Sequence, residues 1–327
     1  MTARAERHIP AALGNESRHQ PYLSYGVATM RALGLFALAV PLFSQPSLAE
    51  LADKTTPLAD CAALLASIPD VKTTQDTLIE DVEGGCRATD LSWAESSYIH
   101  YRIDEIVLLS PDLLQTFEAG KLSAAADLTL KGLRIVPQTG SPLQDYIISL
   151  SSTGIDLHLA YTTDPAERTG AVDFELSAGK LGRLSLSASL SDFDNSDVPL
   201  SSLTETKGTL DHFEASLEDN GLFARLFAPP ILSTLPADQD PRPAIAAAQE
   251  AAIAMLASWP ETTMPPESLA ALSALIRAFP KPEGSWTLSI DSEPGLSLES
   301  LSSGNLSALS TVIAGTRITA TGTPAAP

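Results

Sequence analysis

The sequence has few of the residues, and none of the spacings, that most often carry enzymatic chemistry. Its 327 residues include two cysteines and five histidines. Neither the HExxH arrangement nor the CxxC pair of a zinc site occurs, and there is no GxSxG nucleophile segment or glycine-rich phosphate loop. We therefore predict a protein that is not an enzyme, with no catalytic residue, no metal site and no cofactor.

Basic residues and long apolar runs are also scarce. Lys and Arg number 20 against 40 Asp and Glu, which gives a formal net charge of −20. Such a surface repels phosphates, which excludes nucleic acid as a partner and disfavours anionic lipid headgroups. After residue 49 no apolar run reaches the roughly 18 residues of a membrane-spanning helix, so we expect no transmembrane anchor in the mature chain.

What the sequence does contain is an export signal over Met30–Ala49. Arg31 supplies a positive charge, residues 32–44 form a short apolar core, and Ser47-Leu48-Ala49 has the small-apolar-small pattern of a cleavage site before Glu50. The core, about 13 residues long, is too short to span a bilayer of ~30 Å. No cysteine follows the cleavage site, so we predict a periplasmic protein without a lipid anchor.

Residues 1–29 fit no part of this signal. We expect them to lie upstream of the true start at Met30; a genuine extended n-region is the alternative. Residues 30–49 are then the signal peptide. Residues 50–327 form one β-rich domain, because no long linker divides them.

Both cysteines, Cys61 and Cys86, lie in the mature chain. In an oxidising compartment an isolated pair of cysteines predicts a disulfide. Closing a loop of this length stabilises the fold by roughly 3.5 kcal/mol in the chain-entropy treatment.

Period-two alternation dominates from about residue 86 to 217. Apolar residues at Ile155, Leu157, Leu159 and Tyr161 alternate with others, and the pattern returns over 172–178, 184–190 and 213–217. Such strands are buried on one face and wet on the other, which is typical of antiparallel sheets. The turn segments between them indicate hairpins, so we predict a meander.

The chain becomes helical after these strands. Residues 221–228 are predicted to form two helical turns, stopped by Pro229 and Pro230. Further start signals predict a helical hairpin over about 240–280, strands over about 285–322 and a last helix over 303–314. The predicted fold is α+β: a curved, mostly antiparallel β-sheet with the C-terminal helical hairpin packed on it.

Three histidines follow the cleavage site, and each lies on the polar side of its strand's alternation. We expect His100, His158 and His212 to be solvated single residues rather than parts of a triad or zinc site. The densest group of oxygen ligands lacks the glycine and glutamate of an EF-hand and is interpreted as a solvated turn: Asp192, Asp194, Asn195 and Asp197.

The segment 244–257 is apolar almost all round, which predicts burial against something. One partner is its own sheet together with the helix after Pro266; the other is an apolar ligand between helix and sheet. In the second case four residues would form a lid over the ligand: Ile245, Ala248, Ala252 and Leu256.

Glu218–Leu226 (EDNGLFARL) follows an alternating strand and has the form E-D-x-G-L-x-x-R-L. This segment resembles one in proteobacterial periplasmic proteins of unknown function, which combine a leader, a long β-sheet region and a helical C-terminal part. The resemblance implies an envelope protein without an assigned reaction, and it brings no catalytic residue with it.

Together these observations predict a periplasmic envelope protein that binds or scaffolds. Its partner would be an apolar molecule such as a lipid, or another envelope protein. Two alternatives remain: a structural or assembly partner without a small ligand, and a hydrolase whose site forms only in three dimensions. A concave apolar groove favours the first function, a flat exposed patch the second, and a histidine beside an acid and a serine in a cleft the third.

Overall fold

The computed structural model describes residues 58–68, 71–94, 99–137, 140–193, 207–236, 238, 240–302 and 315–325. The predicted signal peptide and the predicted helix over 303–314 lie outside these residues. In chain order the elements are α1 (Cys61–Ser67), β1 (Val71–Lys72), β2 (Leu78–Val82), β3 (Gly85–Ala94), β4 (Ile99–Leu109), α2 (Leu113–Glu118), β5 (Ala125–Pro137), α3 (Pro142–Ser151), β6 (Ile155–Asp164), β7 (Thr169–Ser177), a 3₁₀ turn (Gly179–Leu181), β8 (Gly182–Ser191), β9 (Thr209–Asp219), a π-helical turn (Phe223–Phe227), α4 (Ala228–Leu232), α5 (Pro241–Ala257), α6 (Pro266–Ala278), β10 (Gly284–Ser297), α7 (Leu298–Ser302) and β11 (Thr316–Pro324).

All eleven strands belong to one antiparallel sheet. β1 and β2 both pair with β3, and from β3 to β11 every strand pairs with the next strand along the chain. The sheet is open and curved, and several helices accompany it. The prediction of a curved, mostly antiparallel sheet with meander topology is therefore confirmed.

The strands place their apolar side chains on one face of the sheet, which we call the apolar face; the opposite side is the polar face. In β8, Leu184, Ala188 and Leu190 are buried, whereas Arg183, which points to the polar face of the same strand, is exposed. Two buried clusters occupy the apolar face, one mainly from β3 to β8 and the other from β8 to β11.

A line of irregular positions crosses β3 and β5 and shifts the alternation by one residue. Asp90 and Gly132 have positive φ values of 54° and 65°. Leu130 and Leu133 are consequently both buried although they lie three positions apart, and the register of β5 against β6 shifts between them. Bulges of this kind add local twist to a sheet.

The predicted disulfide is confirmed and ties α1 to the start of the sheet. Cys61 in α1 is joined to Cys86 in β3, with 5.5 Å between the two Cα atoms. The N-cap residue Asp60 accepts a hydrogen bond from the Ala63 backbone N–H at 2.8 Å, and Asp81 in β2 accepts one from Cys61 N–H at 3.0 Å. The covalent bond and these contacts fix α1 against the first hairpin.

Prolines begin the helices after β9 rather than ending them. Pro241 and Pro266 are the first residues of α5 and α6, because a first-turn residue needs no intrahelical N–H donor. The prediction that Pro229 and Pro230 stop a helix is wrong for the same reason, since both lie in the first turn of α4. Among the described residues, no helix is both long and apolar enough to cross a membrane.

Candidate functional site

A row of side chains across the middle of the apolar face is the candidate site. One residue from each of seven consecutive strands, β4 to β10, stands opposite its neighbour in the strand register. Phe174 is buried and the other six are half-buried. We call this set the central row: Leu108, Leu128, Leu159, Phe174, Leu186, Ala215 and Leu288.

Parts of the rows on either side of the central row are more deeply buried. On one side, Leu130, Leu157, Leu176 and Leu184 are each less than a tenth exposed. On the other side, Phe213 and Ile290 are similarly buried, whereas Tyr161 and Val172 of the same row are half-buried. The central row is therefore a partly exposed apolar strip beside better covered residues, and we call this strip the trough.

The turn after β9 covers the first flank. Leu222 is fully buried and belongs to the same cluster as Leu176 and Leu184. It is held there by Asp219, whose Oδ1 accepts hydrogen bonds from the backbone N–H of Gly221 at 3.1 Å and of Phe223 at 2.9 Å. The second carboxylate oxygen, Oδ2, is buried and has no hydrogen-bond partner among the described residues.

This turn explains the Glu218–Leu226 segment in physical terms. Asp219 accepts backbone hydrogen bonds where the chain leaves the sheet. Gly221 takes a φ of 110°, which a residue with a side chain rarely adopts. Leu222 then lies in the core. Leu226, one turn later, packs against the same cluster. The described contacts of this segment connect β9 to the π-helical turn and to the core.

The segment around α5 and α6 contacts the second flank. Met264 and Leu256 are buried in one cluster with Phe213, Ile290 and Ile318. The Ser268 hydroxyl accepts a hydrogen bond from the Ala320 backbone N–H in β11 at 3.1 Å. In the same strand, the Ile318 N–H donates to the Thr263 carbonyl at 2.8 Å. These contacts join α6 to the last strand.

The four predicted lid residues differ in their burial. Leu256 is buried, Ile245 and Ala252 are half-buried, and Ala248 is exposed. The α5 side chain of Gln249 donates to carbonyl oxygens at the end of α6, that of Ile276 at 2.9 Å and that of Phe279 at 3.2 Å. This side of α5 therefore packs along α6. A lid role for the four residues stays a prediction.

Tyr161, on the row beside the central row, is the polar group nearest to the middle of the apolar face. Its hydroxyl donates to the Ser123 carbonyl at 3.1 Å. Burial raises the pKa of Tyr161 above its ordinary value. The phenol therefore remains neutral, so the Tyr161 side chain places no charge beside the trough.

The polar face carries a shallow depression of about 170 Å³ with a different character. Its lining includes Asp173, Glu175, Glu214, Ser185 and His158. His158 Nε2 lies 3.1 Å from Asp127 Oδ1, and Arg183 forms an ion pair with Glu175. The depression thus combines a histidine, acids and serines, the residue types of the hydrolase alternative.

The strand register places His158 and Ser185 two strands apart. His158 stands opposite Glu175, and Glu175 stands opposite Ser185. Among the described contacts, the His158 ring is hydrogen-bonded with Asp127 and not with a serine hydroxyl, so these contacts do not assemble a nucleophile with its base. The backbone N–H groups of these inner strands are used in the ladders and are not free to form an oxyanion hole.

The remaining predicted ligand residues form no other site among the described residues. His212 Nδ1 lies 2.7 Å from Asp291 Oδ1 on the polar face, and His100 is half-buried in β4. Asp192 lies near Arg168, with 3.5 Å between Oδ1 and Nη1; the other three residues of the acidic turn, 194, 195 and 197, lie outside the described residues.

One group has metal-ligand composition. Cys61, Asp81 and Cys86 bring their ligand atoms within 4.8 Å of one another. Because the two sulfurs are joined in the disulfide, they do not act as thiolate ligands.

Sequence reasoning missed α3. The predicted meander has only a turn between β5 and β6, yet Pro142 begins a helix there and the Gln144 N–H lies 3.5 Å from Ser141 Oγ. The signal was present, since 143, 146 and 147 are apolar positions three and four residues apart, directly after a serine and a proline.

Comparisons of this chain with protein families, with characterised proteins and with solved structures give no match. The resemblance of Glu218–Leu226 to periplasmic proteins stays a hypothesis.

Proposed function

We propose that this is an exported, non-enzymatic envelope protein that binds an acyl chain of a lipid in the trough above the central row. The observation that carries the proposal is the half-burial of six of the seven apolar side chains in that row, although the adjacent residues Leu157, Leu176 and Phe213 are buried. An apolar floor without charged groups suits a hydrocarbon chain, because methylenes gain from leaving water and need no directional partner.

The size of the trough agrees with such a ligand. Seven strands from β4 to β10 span six inter-strand spacings, about 29 Å in total. One leaflet of a bilayer core is about 15 Å thick. The central row is therefore long enough for an acyl chain lying across the strands, with room for a second chain.

The expected affinity is modest. Burying ten methylenes contributes about 8 kcal/mol at ~0.8 kcal/mol each, which corresponds to a Kd of roughly 1 μM. Ordering the chain and immobilising the ligand lower this value. We therefore expect micromolar or weaker binding, suited to a protein that takes up and releases lipid.

In this proposal α5 and α6 pack as a hairpin on the C-terminal part of the apolar face and form one wall of the trough. The contacts of Met264 and Leu256 with the sheet cluster support this arrangement. Of the proposed lid residues, Ile245, Ala252 and Leu256 would face inward, while the exposed Ala248 would lie at the outer edge.

Export is part of the same proposal. The leader over Met30–Ala49 and the Cys61–Cys86 disulfide support an oxidising compartment such as the periplasm. Mature protein isolated from the envelope should begin at Glu50, as intact mass would show. Retention of Arg31 in the isolated protein would contradict export by this signal.

The binding experiment uses two substitutions of the same size on opposite faces of β9. Ala215→Phe fills the middle of the trough, whereas Ser216→Phe adds the same ring on the polar face next to it. Protein purified from the envelope is analysed by native mass spectrometry and by lipid extraction. We expect bound lipid in the wild type and in Ser216→Phe, and at least tenfold less in Ala215→Phe.

Overpacking in a core costs about 1–3 kcal/mol, so thermal unfolding must show that the variants remain folded. Wild-type protein without lipid, which also fails to bind added phospholipid, would refute the proposal. Equal lipid content in folded Ala215→Phe would place the ligand elsewhere.

A further inference from the structure

Helix α3 carries its apolar side chains on the outside of the protein. Leu143 is 68% exposed, Tyr146 61% and Ile147 55%. These positions lie three and four residues apart and therefore share one face of the helix. Asp145, in the same helix, is half-buried. An amphipathic helix normally turns its apolar stripe inward, so α3 has the reverse orientation.

The exposed stripe continues onto the sheet. Ile135 near the end of β5 is 52% exposed and Ile148 is 38% exposed. Five of the nine large hydrophobic residues that the described chain exposes are thus in α3 or at this end of β5. We call them the α3 patch: Ile135, Leu143, Tyr146, Ile147 and Ile148.

The area of the α3 patch argues against a second copy of the chain as its partner. Side chains of this size, about half exposed, present on the order of 500 Å². A symmetric dimer through this patch would bury about 1,000 Å² in total, whereas stable protein interfaces bury about 1,200–2,000 Å². A convex helix also offers no cavity for a small molecule.

The chemistry of the patch favours a lipid surface without net charge. α3 has one acidic residue, Asp145, and no basic residue in its last turn, and the chain has a net charge of −20. Anionic headgroups would be repelled, while the aliphatic side chains gain from the boundary of the acyl region and a tyrosine suits the headgroup level.

The patch is also continuous with the trough. Ile135, Leu133, Leu130 and Leu128 follow one another along the apolar face of β5, and Leu128 belongs to the central row. Ile135 stands opposite Tyr101, which stands opposite Trp93, and the two rings are 5.6 Å apart. A line of apolar side chains, buried at Leu133 and Leu130, therefore joins Ile135 to the candidate site.

We propose that the α3 patch docks the protein reversibly on a bilayer surface of zwitterionic lipid, from which lipid reaches the trough. The second half of this statement rests on the proposed function; docking itself does not. The patch presents apolar area comparable to a single short acyl anchor, for which membrane association constants are on the order of 10⁴ M⁻¹.

The test measures co-flotation with phosphatidylcholine vesicles. Protein is purified from the envelope, and its intact mass confirms the loss of residues 1–49. Ile147→Glu places one negative charge in the patch. Gln115→Glu places the same charge on an exposed position of another helix, α2, which follows the opposite end of β4 from the Tyr101 partner of Ile135, and serves as the control. Both side chains are exposed, so both variants should unfold at the wild-type temperature.

We expect the wild type and Gln115→Glu to float with the vesicles, and the association constant of Ile147→Glu to fall at least tenfold. Adding phosphatidylglycerol should weaken wild-type binding. The proposal is overturned if the wild type does not bind, if both variants lose binding equally, or if Ile147→Glu binds as well as the wild type. Dimerisation without vesicles that Ile147→Glu abolishes would also overturn it, because the occupant would then be a second copy.

Ala215→Phe separates the two proposals. It should float like the wild type but carry no lipid. Vesicle binding by a wild type that never retains lipid would refute the lipid-binding function and leave docking intact. Lipid bound in the trough of a protein that does not bind vesicles would refute docking and leave the lipid-binding function intact.

Discussion

Replacing Ser268 by alanine tests whether α6 closes the open edge of the sheet. β11 is the last strand, and on its outer side the Ala320 N–H finds its acceptor in the Ser268 hydroxyl at 3.1 Å. Ser268 is 1% exposed, so water cannot easily replace the lost oxygen. A buried donor left without a partner costs about 1–3 kcal/mol.

We therefore expect Ser268→Ala to lower the free energy of unfolding by about 2 kcal/mol. For a domain of this size that corresponds to a fall of about 3–4 °C in the unfolding temperature. Hydrogen exchange provides the local measurement, because the Ala320 amide should lose protection more than amides in β7 or β8.

Ser273→Ala is the matched control. Ser273 is also buried in α6, but among the described contacts its hydroxyl accepts no N–H of β11. We expect this variant to change stability by less than 1 kcal/mol, because no buried donor is left unpaired. Equal stability and equal Ala320 protection in the two variants would show that Ser268 does not close the edge.

Three further predictions follow from other contacts. Leu222→Ala removes a side chain with 0% exposure and should cost about 3–5 kcal/mol in urea unfolding; a cost below 1 kcal/mol would mean that the turn after β9 does not cover the core. Cys61 and Cys86 should resist alkylation until reduced, and reduction should cost at most about 3.5 kcal/mol; thiols that react in the native protein would contradict the disulfide. The pKa of Asp104 is lowered by its hydrogen bond with Arg134, so its stabilising contribution is present above pH ~4 and is lost as the pH falls through the lowered value. Asp104→Asn should therefore flatten the acid limb of the stability curve slightly, since the pair is exposed, and an unchanged acid limb would show that the pair contributes nothing.

Much of the sheet could be predicted because period-two alternation is a local signal. β6 to β9 follow the alternation of Leu157, Phe174, Leu186 and Phe213 with polar residues, and each of these side chains lies on the apolar face. The disulfide could be predicted because only one pairing exists. In both cases the sequence offers few alternatives that satisfy the same physical requirement.

The candidate site could not be predicted as a site. Alternation identifies Leu159 and Leu186 as apolar-face residues, but it cannot tell which row across the strands stays half-exposed. That depends on Leu222 and Met264, which come from distant segments and cover the neighbouring rows. Burial of a given row is a tertiary property and has no counterpart in local periodicity.

Helix α5 shows a different limit of sequence reasoning. Its many alanines predicted burial on all sides, yet Ala248 is exposed. Alanine has the highest helix propensity and a single methyl group, so it stabilises an exposed helix without gaining much from burial. An alanine-rich segment therefore indicates a helix more strongly than it indicates a core position.

The order of the strands has a consequence for how the chain folds, and it bears on the export proposed above. From β3 to β9 each strand pairs with the one made just before it, so each step closes a short loop and costs little chain entropy. A protein that crosses a membrane N-terminus first can extend such a sheet strand by strand. The step from β9 to β10 is the exception, because residues 220–283 intervene. We expect this late step, which also brings α6 to the edge, to be the slowest part of assembly, since non-local pairing slows folding.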